Sequence, residues 1–470
     1  MANKFIVQEL AAYYANLETS EIPKQVISKG REALADFIGV LVTGYREGVF
    51  PPLLDSYLQG LHGLQESTWL SRGIKTPAVD AAASMGAAAH AVELDDGYRF
   101  GTSHPAVAVI PAALALCERE GKSFPDLVRS IIIGYDVMLR LSRSINPSHW
   151  KRGYHSTSTC GVFGSAFAAA SLLDLDAEQT AHAAAIAGLQ SAGLQEMLHS
   201  NPAIKPFQVG KASSNGLLAA ELAARGARGP LSLFEGEHGW LAAVTDHFKR
   251  QALFTALGSE FEILNIYTKI YPTCRHCHAA IDLALAAHSE LPGSCGEIEQ
   301  ITVKTYDIAI AEVGKIYCPT TYDDAMFSLP FSVALALKNG KVTLQDYHDG
   351  HYRDPVLKEI QQKIKIEPDQ DMNEKYPNER GCSLAITTRS GFTWQKAANL
   401  PRGEPERPLS PQELFNKLAD CLNPYFSQGT AEAIWQQCCE VEIEQASYPR
   451  IIKILDPINT IANGDKKSET

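Results

Sequence analysis

The stretch GYHSTSTCGVFGSAFAAASLLDLD, residues 153–176, gives the clearest indication of how this 470-residue chain folds. Small side chains dominate 161–173, and they predict a helix that packs closely against its neighbours. Asp176 is a predicted N-cap, because its carboxylate can accept from the free N–H groups of a following helix over 177–193. This stretch therefore predicts a helical region with an alanine-rich interior.

The same helical periodicity extends in both directions from this stretch. Apolar and small residues recur at helical spacing over 24–43, 79–93, 106–120, 125–145 and 212–225. Gly121 and Gly226 are predicted C-caps. Alternation typical of strands is absent from the first 250 residues, so we predict a mostly helical domain there.

The pattern changes near Tyr267. A helix is predicted over 279–290, and apolar alternation at Ile301 and Val303 indicates a strand. A second helix is predicted over 323–338, followed by a hairpin that turns at Ser390-Gly391. Residues 267–404 are therefore predicted to form a smaller α+β domain.

Helical periodicity returns after a linker rich in proline and charge, Pro401–Pro408. Ser410 and Glu413 form a predicted capping box for the next helix. We thus expect a discontinuous helical domain over 1–266 and 405–460, with the α+β domain inserted, and a disordered tail over 461–470.

Charge and cysteine usage exclude several classes of protein. The formal net charge of −12 argues against nonspecific binding to nucleic acid or to anionic membranes, both of which need basic patches. The N-terminus lacks a secretory signal, and no run approaches the ~20 apolar residues of a membrane span. The ten cysteines are irregularly placed, which favours reduced thiols in a cytoplasmic protein.

Signatures for nucleotide binding, zinc proteases and serine hydrolases are absent: GxxxxGK[ST], GxGxxG after a strand, HExxH and GxSxG. The segment Cys274-Arg-His-Cys277-His278 matches the short pattern of haem attachment, but the chain has no export signal. Zinc is also weakly supported, because a structural site usually needs a second ligand pair. The remaining interpretation is a segment that presents polar side chains to a cleft at a domain junction.

An acidic cluster lies before a predicted helix, with Glu93, Asp95 and Asp96 followed by His104-Pro105. One interpretation is local capping, in which the aspartates end one helix and the proline begins the next. The other is a carboxylate and an imidazole placed for proton transfer. A divalent metal would require a second acidic pair, which this segment lacks.

Hydroxyl side chains follow His155, among them Ser156 and Thr157. They can cap the following helix or help its N-terminus to bind an anion.

Several cations are scattered along the chain at positions that suit carboxylate binding. Lys205 and Lys269 are ordinary surface charges unless they line a pocket, and Arg275 adds charge beside the cysteine–histidine segment. Lys211 opens the helix predicted over 212–225, where positive charge is unfavourable to the helix dipole.

The order of these motifs resembles the MmgE/PrpD family, which includes 2-methylcitrate dehydratase, cis-aconitate decarboxylase and iminodisuccinate epimerase. The similarity is carried by AHAVELDD (89–96), SHPAVAVIPAALALCE (103–118), GYDVMLRL (134–141), residues 153–176 quoted above, IKPFQVGKASSNGLLAAELAARG (204–226), YTKIYPTCRHCHAAID (267–282) and DDAMFSLPFSVALAL (323–337).

The resemblance implies a large helical domain with a smaller α+β lid domain, usually in a homodimer, with an active site between the domains. It implies no haem, no iron–sulfur cluster and no required metal. His104, His155, Lys205 and Lys269 fall on the family's active-site motifs, and Asp96 falls within the acidic one.

Three departures from the family pattern bear on the substrate. The lid motif reads Pro-Thr-Cys-Arg-His-Cys-His, 272–278, where the dehydratase and decarboxylase branches carry a different segment that contains histidine. Glu93 stands where many members carry aspartate, and Gly97 replaces a threonine or serine of the dehydratase and decarboxylase branches.

The resemblance implies a cofactor-independent lyase, because the reactions of the family share one step in which a proton or carboxyl group is handled at the carbon next to a carboxylate. His104 and His155 are the expected acid and base, with Asp96 orienting one of them, and Lys205, Lys269 and Arg275 are expected to bind substrate carboxylates. The other expected substrate-binding residues are Glu93, Ser156, Thr157, Lys211, His276 and His278.

These residues could serve dehydration, epimerisation or decarboxylation. Dehydration of a 2-methylcitrate-like substrate is the favoured activity, because the resemblance is to a family in which that activity is widespread. The alternatives are epimerisation of an iminodisuccinate-like substrate, a cis-aconitate-type decarboxylation, and a catalytically silent polycarboxylate-binding protein.

Overall fold

The structure, a computed structural model, describes residues 4–59, 63–200, 202–291, 293, 295–347 and 350–455. The tail predicted to be disordered, 461–470, lies outside these residues. The chain divides into two compact units, and each is described by itself. The first comprises Met1–Ala91, Asp95–Ile266 and Ser410–Thr470, and the second comprises Val92–Leu94 and Tyr267–Leu409.

The first unit is helical up to Ile266. Its helices in this part are α1 (Ile6–Tyr14), α2 (Lys24–Glu47), α3 (Pro51–Gln59), α4 (Ala78–His90), α5 (Pro105–Glu120), α6 (Phe124–Ile145), α7 (Ser148–Lys151), α8 (Ser156–Leu172), α9 (Ala177–Gly188), α10 (Glu196–Ser200), α11 (Lys205–Ala224), α12 (Trp240–Val244) and α13 (Arg250–Phe254). One short antiparallel hairpin, β1 (Ser67–Trp69) with β2 (Ile74–Thr76), interrupts them. The region is mostly helical, as predicted, and these three-residue strands are too short to show the alternation that predicts a strand.

Local capping explains where several of these helices begin and end. The Asp176 carboxylate accepts from Gln179 N at 2.8 Å at the start of α9, as predicted. Gly121 ends α5 in the left-handed region, with φ of 61°, which favours glycine. Two helices begin earlier than predicted, α8 at Ser156 and α11 at Lys205.

Glycines let the central helices of this unit approach closely. A Cβ on Gly210 of α11 would lie 2.3 Å from the main-chain oxygen of Ala83 in α4, closer than any real contact. Gly86 of α4 faces the same junction, because its Cβ would lie 3.1 Å from Gly210 Cα. These two helices carry His90 and Lys205, so their spacing positions two of the side chains described below.

Gly210→Ala is therefore expected to lower the free energy of unfolding by about 1–3 kcal/mol, because backbone atoms must move to admit the methyl group. Urea unfolding measures this loss. Asn215→Ala, at a half-buried position of the same helix, is the control and should change stability little. If G210A is as stable as the control variant, α4 and α11 do not approach each other as closely at Gly210 as the structure indicates.

The second unit combines helices with a four-stranded sheet. Its elements are α14 (His278–Glu290), β3 (Ile298–Thr305), α15 (Asp307–Val313), α16 (Tyr322–Met326), α17 (Leu329–Asn339), α18 (Pro355–Gln362), β4 (Ile364–Pro368), α19 (Gln370–Lys375), β5 (Cys382–Thr388) and β6 (Thr393–Ala398). The strand order is β4-β3-β5-β6, with β3 and β4 parallel and the other pairs antiparallel.

The register of this sheet places one apolar face against the helices. Val303 of β3 pairs with Leu384 of β5 and with Ile366 of β4. Val303 and Leu384 are buried in one core with α14 and α17. The alternation that predicted β3 and the β5–β6 hairpin thus corresponds to a half-buried sheet. Strand β4 was not predicted, and the helix expected over 323–338 is divided into α16 and α17.

Three helices complete the first unit after Ser410: α20 (Pro411–Leu422), α21 (Thr430–Trp435) and α22 (Tyr448–Leu455). The predicted capping box is present at α20, where Ser410 Oγ accepts from Glu413 N. Lys417 of α20 pairs with Asp36 of α2 at 2.6 Å, with both side chains nearly buried. The chain therefore returns to the helical unit after the α+β unit. The fold is mainly α with a smaller α+β part.

All ten cysteines are free thiols, and seven of them are buried. Within the part of the chain that the structure describes, no helix has both the length and the apolar character needed to cross a membrane.

Candidate active site

Three histidines converge in the first unit. His90 ends α4, His104 is the N-cap of α5, and His155 is the N-cap of α8. The His90 ring centroid lies 5.1 Å from that of His104 and 6.1 Å from that of His155. With Asp95 and Lys205 they form what we call the histidine cluster; the structure brings the predicted residues His104, His155 and Lys205 together.

His104 is oriented by two acceptors. Its Nδ1 lies 2.6 Å from the main-chain oxygen of Asp96 and 3.2 Å from Asp95 Oδ2. A carbonyl oxygen only accepts, so Nδ1 carries the proton and Nε2 is the basic nitrogen of the neutral ring. Asp96 thus orients His104 through its main chain. The carboxylate beside His104 belongs to Asp95, which was predicted only as a member of the acidic cluster.

The Asp96 carboxyl group is held inside the first unit. It accepts from Ala106 N at 3.0 Å through Oδ1 and from the Tyr135 hydroxyl at 2.9 Å through Oδ2. Burial raises the pKa of Asp96 to about 7, although both hydrogen bonds act to lower it. This side chain fixes the loop that precedes α5, and its proposed role in catalysis stays a prediction.

The raised pKa of Asp96 gives a stability prediction. The folded-state pKa exceeds the unfolded value of about 3.9. The contribution of Asp96 to the free energy of unfolding is therefore fully present below that value and is lost as pH rises through about 7. Asp96→Asn removes this titration. Between pH 4.5 and 7, wild type should lose about 3 kcal/mol more stability than D96N in urea unfolding. Parallel pH dependences for the two proteins would contradict the prediction.

His155 is held by an amide. Its Nδ1 lies 3.3 Å from Gln208 Oε1, and Gln208 Nε2 donates to Leu194 O at 3.0 Å, which fixes the amide orientation. His155 Nδ1 therefore donates, and Nε2 is the unprotonated nitrogen. Burial, with the Lys205 charge second, holds the pKa of His155 well below its usual value. The ring is neutral at neutral pH.

The hydroxyls after His155 do not cap α8. Thr157 Oγ1 accepts from His104 N at 3.2 Å, and Ser156 Oγ accepts from Asn146 Nδ2 at 3.2 Å. These contacts join the start of α8 to the loop before α5. Both side chains are buried, and their predicted binding of substrate stays a prediction.

Lys211 does not open a helix. It lies in the second turn of α11 and is exposed, because α11 begins six residues earlier, at Lys205. The unfavourable dipole position assigned to Lys211 is therefore wrong, and its binding role stays a prediction. Lys205, in contrast, is buried at the first position of α11.

In the second unit, Lys269 forms a buried ion pair. Its Nζ lies 2.9 Å from Glu93 Oε2 and 3.0 Å from Glu93 O. The side chains of Lys269 and Glu93 are 0% and 5% exposed. Glu93, which stands where many family members carry aspartate, therefore has a defined partner.

Arg275 and His278 belong to an internal network of the second unit. The Arg275 guanidinium donates to Glu404 Oε1 at 2.9 Å and to Arg402 O at 3.0 Å. It also donates to His278 Nδ1 at 3.0 Å and lies over the Tyr267 ring. These donors already have protein acceptors, so a substrate-binding role for Arg275 or His278 stays a prediction.

His276 lies between a phenol and a carboxylate. Its Nδ1 is 2.5 Å from the Tyr306 hydroxyl, and its Nε2 is 3.2 Å from Glu312 Oε2. Since a carboxylate accepts, Nε2 donates to Glu312 and Nδ1 accepts from Tyr306. His276 is buried in this arrangement.

Two groups of side chains have the donor types of a metal site. Cys274, His276 and Glu312 form one group, and His90, Asp95 and His104 form the other. The imidazoles of both groups make hydrogen bonds through Nδ1, and burial raises the pKa of the Cys274 thiol to about 12. The residues fit hydrogen-bonded networks better than a preformed metal site, and the expectation of no metal stays a prediction.

A cavity of about 410 Å³ in the first unit lies apart from the histidine cluster. Its cations are already paired: Lys122 with Asp174, and Arg129 with Asp126 and Glu18. The histidine cluster brings together imidazoles, a carboxylate and a buried lysine, the groups that proton transfer next to a carboxylate needs. It is therefore the better candidate.

Two domain descriptions cover most of the sequence. The MmgE/PrpD N-terminal domain matches residues 8–252, and the MmgE/PrpD C-terminal domain matches residues 271–441. The chain belongs to the MmgE/PrpD family. The family resemblance inferred from the motifs is confirmed.

The relatives of this family member include two kinds of enzyme. Cis-aconitate decarboxylase of Homo sapiens is 24% identical over 444 residues, covering 92% of this chain and 91% of that protein. The mitochondrial 2-methylcitrate dehydratase of Yarrowia lipolytica is 26% identical over 275 residues, covering 56% and 53%. The 2-methylcitrate dehydratase of Escherichia coli K12 is 24% identical over 228 residues, covering 46% and 47%. Its relatives are thus lyases of polycarboxylates.

His90 and Gln208 were not predicted as site residues, and Asp95 was predicted only as a member of the acidic cluster before His104. His90 and Asp95 lie within AHAVELDD, and a histidine five residues before a carboxylate was a usable signal. Gln208 carries no such signal, because its contact with His155 depends on how α11 packs against α8.

Proposed function

We propose that this protein is a cofactor-independent lyase that removes water from a 2-methylcitrate-like hydroxy-polycarboxylate. The observation that carries this proposal is the pairing of two imidazoles of different character, His104 beside a carboxylate and His155 beside an amide. Dehydration needs one base for the proton and one acid for the departing hydroxyl.

His155 is the base in this proposal. Its ring is neutral at neutral pH and its Nε2 is unprotonated, so it can take the proton from the carbon next to a carboxylate. The developing enolate-like charge needs a nearby cation. Lys205 supplies one, since its charge acts on His155.

His104 is the acid. When its Nε2 is also protonated, the Asp95 carboxylate at 3.2 Å balances the positive charge of the ring. The C–O bond breaks as His104 transfers the Nε2 proton to the leaving hydroxyl, which departs as water. The hydrogen bond of His155 Nδ1 goes to the Gln208 amide rather than to a carboxylate, and this difference assigns the two roles. Lys269 is proposed to bind a second substrate carboxylate.

Decarboxylation of a cis-aconitate-like substrate is the second candidate. It is favoured by the relatives, because the decarboxylases align over nearly the whole chain, whereas the dehydratases align over about half. This reaction needs an acid to protonate the product carbon but no base to remove a proton. The neutral base His155 therefore favours dehydration.

Proton NMR of the purified protein in deuterated buffer tests the proposal, with 2-methylcitrate, citrate, cis-aconitate and iminodisuccinate offered separately. An alkene product from a hydroxy acid is the expected result. Carbon dioxide release from cis-aconitate would support the second candidate instead. Deuterium incorporation without net conversion would indicate an epimerase, and binding without either would indicate a polycarboxylate-binding protein.

We also propose that the chain forms a homodimer through α11. Phe207, Leu218 and Leu222 are about 40% exposed and recur at helical spacing on one face of this helix. Light scattering after size exclusion should give twice the chain mass, and Leu218→Asp with Leu222→Asp should give a monomer. A monomeric wild type would contradict this proposal.

A further inference from the structure

His90 is a member of the histidine cluster to which the proposed reaction assigns no role. It is 1% exposed, at the last position of α4. Its Nδ1 lies 2.8 Å from Asp95 Oδ2, the same oxygen that lies 3.2 Å from His104 Nδ1. One carboxylate oxygen is therefore shared by two imidazoles.

The state of the His90 ring follows from its surroundings. Burial, with the Lys205 charge second, lowers the pKa of His90 to about 4. A neutral ring beside a carboxylate donates its Nδ1 proton to it, which leaves Nε2 unprotonated. That Nε2 has no hydrogen-bond partner among the described residues.

We propose that His90 is a positioning residue that shares the Asp95 carboxylate with His104 and so sets how readily His104 gains and releases its catalytic proton. The acid role of His104 comes from the proposed function, on which this inference rests. The inference adds His90 as the residue that adjusts the acidity of His104. A hydrogen bond from His90 withdraws negative charge from Asp95 Oδ2. Less negative charge then remains on this oxygen to stabilise the protonated ring of His104.

Other charged groups face this arrangement from the elements packed around α4. They are Lys205 from α11, Asp36 from α2, Asp55 from α3, Asp96 after α4 and His155 before α8. Asp36 is paired with Lys417, and Asp55 accepts from Ser84, Ser71 and Trp69. His90 Nδ1, at 2.8 Å, donates directly to Asp95 Oδ2.

The test compares His90→Asn with His90→Phe. The asparagine amide can donate from nearly the place of Nδ1, whereas phenylalanine keeps a ring and removes the donor. Histidine-selective labelling and NMR would follow the titration of His104 without substrate. The pH midpoint for His104 should rise by about one unit in H90F and stay within a few tenths of wild type in H90N.

Two further variants keep the result decisive. His90→Leu repeats the loss of the donor with less bulk, in case H90F does not fold, and Asp95→Asn should lower the His104 midpoint. His182→Asn, at another buried histidine whose Nδ1 lies 3.2 Å from a main-chain oxygen, is the matched control. Equal His104 midpoints in wild type, H90F and H90L would overturn the proposal.

The pH profile of kcat gives the second measurement. The limb of the profile that reports protonation of the general acid should move in H90F by the same amount as the His104 midpoint. In H90N this limb should return to its position in wild type. If the proposed function is wrong, wild type will turn over none of the polycarboxylates. The His104 midpoints measured by NMR need no substrate, so they still decide the role of His90. A purely structural His90 would lower stability without moving either midpoint or limb.

Discussion

His155→Asn is expected to lower kcat for the proposed dehydration by about 10²–10⁴-fold, the usual contribution of a positioned base. Asparagine can still donate to Gln208 Oε1, so the start of α8 should keep its position. The variant loses only the unprotonated Nε2. Turnover and deuterium incorporation at the substrate carbon should therefore fall together, with KM little changed.

The control for this experiment is His182→Asn, which lies on α9 and is not part of the cluster. It should retain wild-type turnover. Deuterium incorporation that persists in H155N would show that another group removes the proton. An unchanged kcat in H155N would remove His155 from the mechanism altogether.

The elements that the sequence predicted best are those with strong local signals. Helices α2, α5 and α6 were predicted within about four residues at each end, because their apolar periodicity and caps agree. Helices α8 and α11 begin earlier than expected, because their first turns contain hydroxyls, glycine and proline rather than an apolar stripe. Their true starts place His155 and Lys205 at helix N-termini.

The candidate site was predictable in its motifs but not in its pairings. His104, His155 and Lys205 were found from residue types and their order. The partners of two of them, Asp95 and Gln208, depend on the loop before α5 and on the packing of α11. Hydrogen bonds between distant segments leave no periodic trace in a sequence, so such partners need coordinates.

Lys269→Met is expected to have the largest effect on stability. The variant leaves Glu93 buried without the ammonium group that lies 2.9 Å from its Oε2. Breaking a buried ion pair by removing one partner costs about 3–5 kcal/mol, because the remaining charge stays desolvated. Urea unfolding should show this loss. Lys396→Met, which breaks an exposed pair with Glu290 in the same unit, should change stability by less than about 1 kcal/mol.

The double variant K269M with Glu93→Gln separates structure from function. Removing both charges should recover most of the stability lost in K269M, because no uncompensated carboxylate remains. If Lys269 also binds a substrate carboxylate, turnover stays low and KM stays high in the double variant although the fold is restored. Recovery of turnover together with stability would instead make Lys269 a purely structural cation, and the proposed substrate contact would then fall to Lys205 alone.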